Sequence, residues 1–123
     1  MEVAEEFSLR YAEALTKVRE ALKERMAGLH VGGPATGMAE VLVDQLGMHA
    51  TRVQLYFGAD SLVDQFGGNA YVELRRALTA DTIDEARAAF ERSGHLRIQF
   101  MKATVAAVSL KRRRWLPRLV WRR

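Results

Sequence analysis

From Arg92 to Arg123 the chain carries eight Arg, two Lys and no carboxylate; the last acidic residue is Glu91. Both tryptophans, Trp115 and Trp121, lie in the run from Lys111 to Arg123. Uncompensated positive charge draws polyanions, and guanidinium groups bind phosphate in a forked geometry. Flat rings between the charges can stack on exposed bases or sit at a lipid interface. The chemistry on offer is therefore binding of a phosphate backbone. Lys111, Arg112, Arg113, Arg114, Arg118, Arg122 and Arg123 would neutralise phosphates, and Trp115 and Trp121 would stack or dock.

Other constellations offer less. Gly32 and Gly37 have the spacing of a phosphate-binding loop, but Met38 and Ala39 follow where Lys and Ser or Thr would meet phosphate and magnesium. A glycine-rich hinge is the expected reading. His30, His49 and His95 are too scattered for a ligand pair on one helix, and His49, close to an apolar helix face, is expected to be a satisfied, partly buried side chain. The pairs Asp60 with Asp64 and Asp84 with Glu85 suit helix starts, where the dipole favours negative charge. There is no cysteine, which excludes disulfides, thiolate catalysis and Cys-ligated zinc or iron–sulfur sites. No Ser stands in Gly-x-Ser-x-Gly. The expectation is a protein that is not an enzyme and holds no metal and no cofactor.

The elements that must position the basic segment read as helices. Ala4, Phe7, Tyr11, Ala14, Leu15, Val18, Leu22 and Met26 recur at three and four, one face of an α-helix. Gly32, Gly33 and Pro34 break it. Met38, Leu42, Leu46, Ala50, Val53 and Phe57 give a second helical phase, widened by Val41 and Leu55; Gly47 predicts a kink or a division there. Val53, Leu55 and Phe57 also alternate, so Thr51 to Phe57 is open to a strand reading. Asp60 is expected to cap a short element that Gly67 and Gly68 stop, Asn69 to cap Ala70 to Leu78, and Thr82 with Glu85 to form a capping box for a helix closed by Gly94. A last amphipathic helix starts near His95, with Ile98, Met101, Val105 and Val108 expected to hold it to the core while Lys102 and Ser109 face outward. Pro117 predicts its end at Arg114 or Trp115. The fold class is all-α: a compact bundle of five or six helices over residues 1–110, with a basic Arg/Trp extension over 111–123.

At 123 residues and 49% apolar content the chain has the size and composition of one domain. Residues 1–60 carry six basic and nine acidic side chains and residues 61–123 thirteen and six, so the second half is the expected contact surface. The acidic start and the lack of any apolar stretch of about 18 residues lead to the expectation of a cytoplasmic protein.

Two stretches carry a family resemblance: Leu42-Val43-Asp44-Gln45-Leu46-Gly47-Met48, an apolar helix through a Leu-Gly step, and Leu96 to Val108. They resemble the glycine-containing second helix and the closing amphipathic helix of the small all-helical subunit of class 1 CRISPR effector complexes, the type III form in particular. The resemblance implies a non-catalytic subunit that stacks with copies of itself and lines a guide RNA and target strand. It points to Arg97, Lys102 and Lys111, with Arg52, Arg75 and Arg76 as weaker additions. The expected function is a backbone-binding accessory subunit of a nucleoprotein complex, with RNA or single-stranded DNA and other subunits as partners. The competing expectation is a viral, conjugative or membrane-proximal assembly protein that docks its tail on a protein or an anionic membrane.

Overall fold

The computed structural model describes the backbone of residues 2–28 and 34–121 and the side chains of 2–28 and 35–110. The helices are α1 (Glu2–Met26), α2 (Pro34–Phe57), α3 (Leu62–Thr79) and α4 (Ile83–Trp121). There are thus four helices, not five or six, and no strand among the described residues. Thr51 to Phe57 is the last part of α2. His30, Gly32 and Gly33 lie outside the described residues.

The count falls because Gly47, Gly67, Gly68 and Gly94 sit inside helices that continue through them. Gly67 shows why a helix keeps a residue that costs it about 1 kcal/mol. A Cβ there would stand 3.0 Å from Cδ1 of Phe100, so the bare backbone lets the α4 ring lie directly on α3. Gly47 likewise faces the Tyr71 ring. Asn69 consequently lies within α3 and caps nothing.

Helix ends follow local chemistry. Gly28 and Gly58 close α1 and α2 in the left-handed region, with φ of 79° and 98°. Ser61, not Asp60, caps α3, its hydroxyl accepting the Asp64 N–H at 3.1 Å. The Thr82 hydroxyl accepts the Glu85 N–H at 3.2 Å at the start of α4. Arg25 donates to the carbonyls of Ala80 and Asp81 at 2.8 and 2.7 Å, tying the end of α1 to the α3–α4 turn.

Neighbours in sequence pack as neighbours in space: α1 on α2, α2 on α3, α3 on α4, while α4 touches α1 over a short length and, among the described residues, does not touch α2. The α1 face is the one its periodicity predicts, with Ala4, Phe7, Tyr11, Ala14, Val18, Ala21 and Leu22 buried and Leu15 packed at the margin. Met26, in the last turn, is exposed. On the outer side Arg10 pairs with Glu6 at 2.9 Å and with Glu13 at 3.3 Å, and Lys17 pairs with Glu20 at 3.2 Å.

Tyr11 anchors the centre. Its hydroxyl lies 2.7 Å from that of Ser93, which donates to the Ala70 carbonyl at 2.7 Å, so one buried chain links α1, α4 and α3. Ser93 has one proton and spends it on Ala70, which makes Tyr11 the donor to Ser93. Tyr11→Phe is expected to lower stability by about 1 kcal/mol, the net worth of one such bond, as read by urea denaturation.

α4 differs most from expectation. Its inward residues are Ala86, Ala89, Ser93 and Phe100, with Leu96, Ala103 and Ala107 at the margin. Ile98, Met101 and Val105 face out, at 50, 48 and 66% exposure, and do not hold the helix to the core. Against α3, the Ser93 hydroxyl of α4 meets the Ala70 carbonyl and the Phe100 ring lies on Gly67, so the small residues of this contact are on α3 as well as α4. The helix also runs through Pro117 to Trp121 instead of ending near Arg114. The bias against helix before proline is a preference that a continuing helix overrides.

Candidate nucleic-acid interface

The residues named from sequence fall into three groups. Arg97 is half-buried with its guanidinium carbon 5.3 Å from the Tyr11 ring centroid, a cation–π contact between α4 and α1. Its buried Nε has no hydrogen-bond partner among the described residues. Burial pushes the Tyr11 phenol above its ordinary value, against the weaker pulls of the Ser93 hydrogen bond and the Arg97 charge.

Lys102 is exposed on the opposite side of α4, about 140° around the helix from Arg97. The structure therefore does not bring these two together. Between Arg97 and Lys111, Lys102 is the only basic residue, and the exposed neighbours Ile98, Met101, Val105 and Leu110 are apolar. This stretch offers one phosphate contact rather than a charged track.

Of the weaker additions, Arg75 donates to the Tyr71 hydroxyl at 3.1 Å and Arg76 pairs with Glu73 at 2.6 Å, a carboxylate that Arg92 shares at 3.0 Å. Arg52 is exposed and makes no ion pair among the described residues. The remaining candidates belong to the end of the chain. Lys111, Arg112, Arg113, Arg114, Trp115, Arg118 and Trp121 sit on the helical backbone of α4, their side chains outside the described set; Arg122 and Arg123 lie outside the described residues altogether.

The backbone gives that segment its place. Ala4, Glu5 and Ser8 of α1 and Phe100, Met101 and Val105 of α4 line an open groove of about 520 Å³, which continues to Ser109. At Ser109 α4 has therefore reached the start of α1, and the residues up to Trp121 run on by about 18 Å of helix. The sequence reading missed the exposed apolar face beside this groove. The signal was a competing phase of small residues, Ala86, Ala89, Ser93, Ala103 and Ala107, at the same helical spacing.

His49 lies half-buried beside a cavity of about 560 Å³ lined also by Glu2, Glu5, Glu6, Leu9 and Arg52. Contrary to expectation it is not satisfied: its Nδ1 is buried with no hydrogen-bond partner among the described residues. Burial of the ring, then the charges of Arg52 and Arg10, hold it below its ordinary value of 6.5 against the pull of Glu6. A lowered histidine pKa means that the unfolded chain takes up the proton first. The stability this group contributes is thus full above about pH 6.5 and is lost as pH falls from there through the folded value. His49→Gln is expected to lose less stability than the parent between about pH 7.5 and about pH 5.5, read by denaturant midpoints.

Among the described residues no three His, Asp or Glu side chains come together as a metal site, and no helix is long and apolar enough to cross a membrane. No protein-family model, curated protein or solved structure matches the chain.

Proposed function

We propose that the protein is a non-catalytic accessory subunit of a cytoplasmic nucleoprotein assembly, in which the end of α4 binds a nucleic-acid backbone without strong sequence preference. The observation that carries the reading is the length of α4: 39 residues against 25, 24 and 18 for the other helices, with the surplus made of the carboxylate-free basic run. A helix continuing out of a packed bundle holds its cations at a fixed rise, and Lys111, Arg114, Trp115 and Arg118 recur at the three- and four-residue spacing of one helical register. Phosphate contacts of this kind position a strand and carry no sequence information. The resemblance of Leu42 to Met48 and Leu96 to Val108 to the small subunit of type III CRISPR complexes supports RNA over other polyanions.

The second reading, an assembly protein docking on a protein groove or an anionic membrane, draws on the exposed Ile98, Met101 and Val105 beside the basic run. Vesicle flotation separates the two. The full chain is expected to retain single-stranded oligonucleotides and to leave anionic vesicles unbound; capture of vesicles without oligonucleotides would replace the first reading with the second.

A further inference from the structure

α2 has two apolar faces, and only one is used. Ala35, Ala39, Val43, Leu46 and Val53 are buried in the core. Met38, Val41, Met48 and Leu55 point the other way, at 53, 56, 63 and 80% exposure, although Val41 and Leu55 read from sequence as a widening of the core stripe. Together with the exposed Gln45 and Arg52 they are spaced three, four, three, four and three, the alternation of a two-helix seam. Among the described residues, none of α1, α3 and α4 covers this seam.

We propose that the seam is a self-association surface, on which α2 of a second copy of this chain packs antiparallel about a two-fold axis between Gln45 and Met48. The spacing is self-complementary about that point: Met38 meets the second copy's Leu55, Val41 meets Arg52, and Gln45 meets Met48. The charges commit the occupant and its direction. The first half of α2 carries Glu40 and Asp44 and the second half Arg52, all exposed, and none makes an ion pair among the described residues. Antiparallel pairing sets each Arg52 opposite the second copy's Val41, between Glu40 and Asp44, at both ends of the seam. Parallel pairing would set Arg52 against Arg52 and acid against acid. The acids beside Arg52 on the α1 side do not replace this contact: Glu6 is held by Arg10, and Glu2 and Glu5 line the adjoining cavity without pairing to Arg52. An isologous contact of this kind closes at two copies.

The inference stands apart from the nucleic-acid reading, because its test contains no nucleic acid. Sedimentation equilibrium of the full chain is expected to give twice the 13.9 kDa chain mass at micromolar concentration. Met48→Glu and Leu55→Glu, at positions already exposed, should give one chain mass with unchanged helical circular dichroism. Arg52→Glu should also dissociate the pair, and adding Glu40→Arg and Asp44→Arg to it should restore the pair. The lack of cysteine gives a second readout. Met38→Cys and Leu55→Cys chains, mixed and oxidised, should cross-link to each other, whereas Leu55→Cys alone should not, since its two copies would lie about 25 Å apart along the seam. One chain mass for the parent at millimolar concentration would overturn the proposal, as would a charge-reversed Arg52→Glu chain that stays paired, or ready cross-linking of Leu55→Cys alone.

Discussion

Phe100→Ala is expected to destabilise the protein by about 3–5 kcal/mol, the usual cost of emptying a buried aromatic site. Phe100 is 1% exposed, its ring centroid lies 4.7 Å from that of Phe7, and it rests on the bare backbone of Gly67. Removing it leaves a hole among α1, α3 and α4, and Gly67 has no side chain to fill any of it. Against a total stability of about 5–15 kcal/mol for a domain this is a large fraction, and the thermal midpoint should fall by about 10 °C or more. Ile98→Ala, two residues away on the exposed side, should cost under about 0.5 kcal/mol. Thermal melts of the two variants followed by circular dichroism check the pair. An equal loss in both would mean that α4 is packed in a different rotation.

Truncation after Leu110 is expected to abolish binding to single-stranded oligonucleotides at physiological salt while leaving the melt within about 0.5 kcal/mol of the parent. The second half of that expectation rests on the described residues, among which the α4 side chains packed at the core margin end with Ala107, ahead of the cut. The first half follows from charge. The truncated chain loses seven of its 19 Lys and Arg and no acid, so its formal net charge goes from +4 to −3. The charges left near the cut, Lys102 and the inward Arg97, are too few and too far apart around the helix to follow a strand.

Much of the fold was legible in the sequence because α1 has one dominant apolar phase and polar residues elsewhere. The number of helices was not. Gly47 and Gly67 look like helix breakers until it is known which rings approach them, and that depends on contacts between residues far apart in the chain, such as Gly67 with Phe100. On α2 the predicted Leu42, Leu46, Ala50, Val53 and Phe57 do lie in or against the core, but Met38, Val41 and Leu55 do not, and on α4 the outward Ile98, Met101 and Val105 were misread for a related reason. Both helices have apolar residues on two sides, and size alone does not tell which side is buried; on α4 the buried side is that of Ala86, Ala89, Ser93 and Phe100. At the candidate site, the outward position of Lys102 follows from helical spacing, whereas the stacking of Arg97 on Tyr11 depends on the relative rotation of α1 and α4.

The central claim is that the end of α4 is an electrostatic contact for a nucleic-acid backbone, and salt dependence of binding tests it most directly. With about five phosphates neutralised, the logarithm of the binding constant should fall against the logarithm of salt concentration with a slope near −3.5 on single strands and near −4.5 on duplex. The chain ending at Leu110 should show almost none of that slope. A truncated chain that binds RNA and DNA as tightly as the full chain across the salt series would contradict the account.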